Sequence, residues 1–266
     1  MSSSRPKLSI ITVVFNHKAQ FMQTLQSIAS QTFKDFEWVV IDGGSTDGTL
    51  DRIKEHDNII SSWISEPDKG IFDAMNKGLG CAKGEWITFL NAGDTYTSTA
   101  SLNDIFSYAK THIKFMYTDM FLLTESGKKI RKIKAEKLTK HSISKGMIAC
   151  HQGMFIRKEV CPFYDTRYYY QGDLEWTIRI LFLLSQNEIC YIPKDHIFYK
   201  NDGFSNQSLI NQLKTHLSLI YKYYGFLMIL YRIPRLFRRY IGKWLRKCLG
   251  IHTLRFWIKA KHNDSL

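Results

Sequence analysis

Acidic residues vanish from the last quarter of this 266-residue chain: from Phe204 to Asn263 there are twelve Lys and Arg and no Asp or Glu. The remaining 25 basic residues face 24 acidic ones, so the net charge of +13 belongs to the tail and the body is close to neutral. Cysteine is sparse. Cys81, Cys150, Cys161, Cys190 and Cys248 are scattered and form no CxxC pair, which excludes a disulfide framework or a zinc cluster and fits reduced, buried thiols. With five prolines and no Pro- or Gly-rich linker, the chain offers no obvious division, and it contains no internal repeat. Long hydrophobic runs are missing too. Gly225–Tyr231 comes nearest to the roughly eighteen apolar residues of a membrane span, but Lys222 and Arg232 flank it and Pro234 follows. Met1–Lys7 is polar and Leu8–Phe15 is too short for a secretory leader, so none is expected. What is present, 44% hydrophobic and 23% charged residues, is the composition of a folded globular chain.

The first half alternates two periodicities. Leu8–Val14, Glu37–Ile41, Ile59–Ile64 and Glu85–Leu90 read as strands. Ala19–Gln31 and Ile71–Ala82 read as helices, with another running to about His56 from a cap at Ser45 or Thr46. That order predicts an α/β fold with a mainly parallel central sheet and helices on both faces. Lys114–Asp119, Lys129–Lys134, His151–Ile156, Ile189–Ile192 and Ile197–Tyr199 are further expected strands, and Asp173–Leu184 a helix. The boundary falls near residue 203: one α/β domain over 1–203, then a basic helical appendage over 204–266.

Two strands end in acid-, glycine- and asparagine-rich loops: EWVVIDGGSTDGT places Asp42 at one strand end, and GEWITFLNAGDTY places Asn91 and Asp94 past another. Ligands of open α/β sheets bind beyond the carboxyl ends of the strands, so a charged, nucleotide-like ligand is expected there. Asp42 can accept hydrogen bonds from a base or ribose, or cap the next helix. Asp94 can bind Mg2+ or Mn2+, or make an ordinary turn. Lys69 and Lys77 flank the helix Ile71–Ala82, as phosphate partners or as solvated charges. Asp173 and Glu175 open a helix, where acids suit the dipole but where one can also serve as general base toward a sugar hydroxyl. His151 and Gln152 precede a strand and read as structural when taken alone.

SIITVVFN (Ser9–Asn16), VVIDGGSTDGT (Val39–Thr49), EPDKGIFDAMNKG (Glu66–Gly78) and ITFLNAGD (Ile87–Asp94) together resemble family 2 glycosyltransferases, in particular the bacterial enzymes that build colanic acid, capsules and O-antigens. CHQGMFIRKEV (Cys150–Val160), QGDLEW (Gln171–Trp176) and NDGFSN (Asn201–Asn206) resemble later motifs of that subgroup, so the resemblance covers about the first three-quarters of the chain. It implies a GT-A (Rossmann-like) nucleotide-sugar-binding domain, a divalent metal, Mg2+ or Mn2+, and inversion at the anomeric carbon. The donor is expected to be a UDP-sugar and the acceptor a saccharide, polyprenyl-diphosphate-linked. Thr12, Val14 and Asn16 match the strand bordering the nucleotide, Asp42 the base-contacting acid, Asp94 the last acid of the metal motif, and Asp173 the late catalytic acid. Asn76 and Asn91 complete the donor side with Lys69 and Lys77, and His151, Gln152 and Glu175 fall on the acceptor side.

The chain departs from the family pattern at several points. Gly43 replaces a second Asp, the metal motif lacks its first Asp, Met75 stands for an arginine, and Glu175 replaces an Asp. A nucleotidyltransferase that makes nucleotide sugars is the rival enzyme, but the loop Phe15-Asn16-His17-Lys18 lacks the glycines it needs. A nucleic-acid-binding role for the basic, aromatic tail is the rival of another class. Projected as a helix, Arg235–Leu249 sets Phe237, Ile241, Trp244, Leu245 and Cys248 opposite Arg235, Arg239, Lys243 and Arg246, the layout of an interfacial helix. A cytoplasmic protein, peripheral on the inner face of the cell membrane and bound to its anionic surface rather than to nucleic acid, is therefore expected.

Overall fold

The computed structural model describes residues 5–123, 129–200 and 209–249, with backbone alone at 129–131, 209, 237, 239 and 241–249. It divides into two compact units, Met1–Gly203 and Phe204–Leu266.

In the first unit, β1 (Leu8–Val14), β2 (Phe36–Asp42), β3 (Ser62–Ser65) and β4 (Trp86–Phe89) lie parallel in the order β3-β2-β1-β4. The chain steps outward from β1 to β3 and then returns to the other side of β1. This creates a switch point between β1 and β4, where such sheets open a ligand crevice. Helices α1 (Lys18–Ala29), α2 (Thr49–Glu55) and α3 (Ile71–Cys81) make the crossovers. Both faces are covered, so β1 is buried along its whole length and its sequence is nearly unbroken in apolar residues. Leu8, Ile10 and Val14 share a core with Phe21, Leu25 and Ile28 of α1. On the other face α3 approaches so closely that a Cβ on Gly78 would lie 2.4 Å from Ile11 Cγ2.

The sheet continues through β8 (Met154–Arg157), β6 (Phe115–Leu123), β9 (Ile189–Lys200) and β5 (Thr95–Tyr96), with β7 (Lys129–Ile133) beside β6. The β4–β8 and β8–β6 pairings are antiparallel and β6–β9 is parallel. The short α4 (Ser101–Phe106) follows β5, and α5 (Gly172–Leu183) precedes β9.

Three local expectations are corrected. Ile189–Lys200 is one strand rather than two, absorbing its polar middle through register shifts opposite Thr118–Met120. His151–Gly153 is a 3-10 turn, and the strand starts at Met154. Neither Ser45 nor Thr46 caps α2, which begins at Thr49 because both residues are engaged elsewhere: Ser45 donates to Asp42 and Thr46 N–H to Asn16 Oδ1 at 2.8 Å.

In the second unit, α6 (Leu209–Tyr224) and α7 (Phe226–Leu249) form a hairpin about Gly225. Ile220, Leu236 and Tyr240 make its core, with Leu213, Leu217, Tyr224, Met228 and Ile229 packed around them. No helix among the described residues is long and apolar enough to cross a membrane. The NDGFSN segment lies outside the described residues, as do the side chains of Phe237, Arg239, Ile241, Lys243, Trp244, Leu245, Arg246 and Cys248.

Candidate active site

The ends of β1, β2 and β4 meet at one edge of the sheet. Val14 pairs with Asp42 across β1 and β2, and Gly43 N–H donates to Val14 O at 2.9 Å. Asp42 is fully buried, a costly place for a carboxylate unless it is hydrogen-bonded. It accepts from Ser45 N–H at 3.1 Å, from the Ser45 hydroxyl, and from Ser65 Oγ at 2.6 Å. Asn16 follows β1 in a left-handed conformation (φ 51°), an arrangement that asparagine tolerates better than bulkier residues. Its N–H donates to Ser45 Oγ at 2.8 Å. Thr12 points elsewhere: its fully buried hydroxyl donates to Leu90 O at 2.8 Å and accepts from Trp38 Nε1 at 2.9 Å, tying β4 to the α1-side core. At Gly43 the Asp68 carboxylate takes the space beside the backbone, its Oδ2 2.6 Å from where a Cβ would stand.

The segment after β3 closes on itself. Lys77 Nζ lies 2.8 Å from Glu66 and 3.9 Å from Asp73 and donates to Pro67 O at 3.1 Å. These contacts, the hydrogen bond to Glu66 foremost, raise its pKa. Lys69 is exposed, with its backbone N–H on Asp73. Asn76 faces the segment before α5: Nδ2 donates to Tyr164 O at 2.9 Å, and Oδ1 accepts from Tyr164 N–H at 2.7 Å.

Beyond β4, Asn91-Ala92-Gly93-Asp94 turns around Thr24 of α1. The Thr24 hydroxyl lies 2.9 Å from Asp94 O and accepts from Gly93 N–H at 3.0 Å. Asp94 is buried and accepts from Lys200 N–H at 3.1 Å. The Asn91 Oδ1 atom is buried without a hydrogen-bond partner, an open acceptor three residues from that carboxylate.

Asp173 comes from the start of α5, where its Oδ1 accepts from Leu174 N–H at 2.8 Å and its Oδ2 lies 3.9 Å from His151 Nδ1. Burial pushes the His151 imidazole below its ordinary value against the opposing pull of the Asp173 charge, and its Nε2 has no hydrogen-bond partner. The neighbouring Cys150 thiol is raised by burial first and then by the negative charge of Asp94 and of Asp173. The two carboxylates thus act on one sulfur from two different elements. Gln152 is buried and takes up Cys150 through its Oε1. Glu175 is buried on α5 and pairs with Arg179 at 2.8 Å.

The start of α5 is held firmly. Tyr164 stacks between Trp176 (4.7 Å) and Phe72 (5.1 Å), with Phe89 edge-on at 5.6 Å. Trp176 Nε1 donates to Pro162 O at 2.6 Å, and Arg179 reaches Phe163 O at 2.6 Å. Sequence reasoning missed Thr24, Tyr164 and Cys150. Thr24 reads as one position of an apolar helical stripe, and only its hydroxyl sets it apart. Tyr164 has no motif around it.

Among the described residues no three His, Cys, Asp or Glu side chains converge as a self-sufficient metal set. Asp94 and the unpartnered Asn91 oxygen are nonetheless hard oxygen donors of the kind Mg2+ or Mn2+ takes. They fit a cation that a phosphate-bearing ligand completes.

The profile described as Glycosyl transferase family 2 matches residues 9–161. A PGL/p-HBAD biosynthesis glycosyltransferase of Mycobacterium tuberculosis is 32% identical over 188 residues, covering 65% of this chain and 69% of the relative. The Escherichia coli UDP-Glc:alpha-D-GlcNAc-diphosphoundecaprenol beta-1,3-glucosyltransferase WfaP is 34% identical over 116 residues, 43% of this chain and 46% of WfaP. Among solved structures, S. aureus TarS 1-349 in complex with UDP-GlcNAc aligns with TM-score 0.65 at 16% identity, over 90% of this chain and 72% of TarS 1-349. The mannosyltransferase PcManGT from Pyrobaculum calidifontis, in complex with GDP-Man and Mn2+, aligns with TM-score 0.61 at 15% identity, over 99% of this chain and 81% of its own. At these identities the likeness shows the fold, which is GT-A.

Proposed function

This chain belongs to glycosyltransferase family 2 and is a glycosyltransferase, and from that premise we propose that it moves a sugar from a UDP-sugar to a lipid-linked saccharide, with inversion, in the synthesis of a bacterial surface polysaccharide. The observation that supports the reading is that Asp42, Asn91 and Asp94 stand at the ends of β2 and β4 on the switch-point edge of the sheet, while Asp173 is held at the start of α5 beside His151. The Asp94 side is assigned to the donor's diphosphate and the Asp173 side to the acceptor's hydroxyl.

In this reading Asp42 holds the donor's base or ribose when the Ser45 and Ser65 hydroxyls turn away from it. Asn16 lines the same edge. Asp94 and Asn91 hold the divalent cation, which when bound neutralises charge on the donor's diphosphate. Asp173 takes the proton from the attacking acceptor hydroxyl on its Oδ2, while the Leu174 N–H keeps the other oxygen fixed. His151 stays neutral beside it, so it does not compete for the role of charged partner. A single base facing the donor is enough for in-line displacement, and no covalent sugar–enzyme intermediate is needed. Asn76 and Lys77 act by shaping the α3 edge of the cleft, and Gln152 and Glu175 by fixing the turn and helix that present His151 and Asp173. The name of WfaP supports a diphosphopolyprenol-linked acceptor. The absence of acids from Phe204 to Asn263 supports placement of the enzyme at the cytoplasmic, anionic surface of the membrane, with Arg235–Leu249 as an interfacial helix.

A screen of nucleotide sugars for donor hydrolysis and for transfer to a polyprenyl-diphosphate saccharide, with Mn2+, with Mg2+ and with EDTA, tests this. Metal-dependent turnover of a UDP-sugar is the expected result. Turnover of a nucleoside triphosphate plus sugar phosphate, or no metal dependence, would overturn it.

A further inference from the structure

In the second unit, one side of α7 is exposed among the described residues. At 100° per residue, Met228, Ile229, Leu236 and Tyr240 turn toward α6, where they meet Leu213, Leu217, Ile220 and Tyr224. Phe226, Leu227, Leu230, Tyr231 and Ile233 fall on the opposite side, within an arc of about 160°. They are 60%, 80%, 51%, 64% and 45% exposed. Five large apolar side chains on two turns of helix, all turned outward, form a contiguous patch rather than the scattered apolar residues usual on a surface. The first turn of α7 carries no acid to break it up.

What lies next to the patch decides its partner. Exposed Arg238 continues the same side of α7 beyond the patch, exposed Arg235 lies about 40° past its edge, and exposed Lys222 closes α6. Within Phe204–Asn263 no carboxylate balances them. An apolar face bordered by cations alone matches an anionic bilayer, whose acyl region takes the hydrocarbon and whose headgroups take the charge. The apolar stretch is too short to cross that bilayer, so the helix would lie in its surface.

We propose that the exposed face of α7 formed by Phe226, Leu227, Leu230, Tyr231 and Ile233 inserts into the outer acyl layer of an anionic membrane and anchors the enzyme there. This rests on the membrane-surface placement proposed above and moves the inserting element upstream of Arg235–Leu249. Electrostatics then supplies attraction and orientation, and the α7 face supplies depth. Tyr231, an aromatic with a polar tip, suits the headgroup boundary.

The test is co-sedimentation of the full chain with vesicles of phosphatidylcholine alone and with added phosphatidylglycerol, for wild type and for Leu227→Ser/Leu230→Ser. Both leucines are solvent-exposed, so the fold should survive, and unchanged donor hydrolysis without vesicles checks that it does. Losing two leucines from an apolar phase should lower the partition coefficient into anionic vesicles by about ten- to a hundredfold. If the double variant binds anionic vesicles as wild type does, the insertion face is refuted while the electrostatic placement stands. If wild type binds no vesicle, both fall. If wild type is instead a dimer that the double variant turns into monomers, the face belongs to a second copy of the chain and the proposal is overturned.

Discussion

Asn76→Ala separates a positioning role from a donor contact. The Asn76 amide makes two hydrogen bonds, at 2.9 and 2.7 Å, to the backbone of Tyr164, which sits in the aromatic stack beneath α5. Truncation leaves a partly buried N–H and C=O unpaired, each costing about 1–3 kcal/mol when water cannot reach it. Partial exposure argues for the low end, and alanine's better helix propensity returns about 0.6 kcal/mol. A net loss of about 1.4 kcal/mol follows, and in a chain of this size that lowers Tm by roughly 3–6 °C. Because the freed segment leads into α5, Asp173 loses its fixed position, and transfer should fall about ten- to a hundredfold. UDP affinity should stay within about twofold, since no donor contact is removed. Thermal unfolding, UDP titration by calorimetry and steady-state transfer measure the three quantities on one preparation. An unchanged Tm with UDP affinity lowered tenfold would refute the reasoning and return Asn76 to the donor.

Gly78→Ala should destabilise the fold by about 1–3 kcal/mol in urea unfolding, because its Cβ would lie 2.4 Å from Ile11 Cγ2 where α3 meets β1. Ile11→Ala combined with it should cost less than the sum of the two single changes, and strict additivity would show that the contact is not the cause. Burial lowers the pKa of both His151 and His196 from 6.5. The unfolded chain therefore takes up protons first as pH falls below about 6.5, and stability, complete above that pH, declines as pH drops through the folded values. Melting scans from pH 7.5 to 5 should show this decline, and His151→Gln should flatten it. A variant with the wild-type slope would remove His151 from the account.

The central strands and the acids at their ends were legible because buried parallel strands and strand-end loops leave local patterns. Leu8–Val14 was read to the residue, and Asp42, Asn91 and Asp94 were read at the correct sheet edge. The same local reading could not show what each polar group faces. Thr12 lies on the nucleotide-bordering strand of the family, yet its hydroxyl is turned into the core toward Trp38. The capping role expected of Ser45 is lost to Asp42, because a fully buried carboxylate has the stronger claim on a hydroxyl. Tyr164 was invisible because its role depends on Asn76, Phe72 and Trp176, which only the tertiary fold brings together. Ile189–Lys200 was split in two because Pro193-Lys194-Asp195 looks like a break, whereas register shifts against β6 carry the strand through it.

The division of labour across the cleft is tested most directly by measuring UDP–Mn2+ affinity and transfer rate together for Asp94→Ala and Asp173→Asn. Asp94→Ala should lose metal-dependent UDP binding and transfer alike. Asp173→Asn should bind UDP–Mn2+ as wild type does while transfer falls about 10²–10⁴-fold. Undiminished metal-dependent binding by Asp94→Ala, or near-wild-type transfer by Asp173→Asn, would contradict the account.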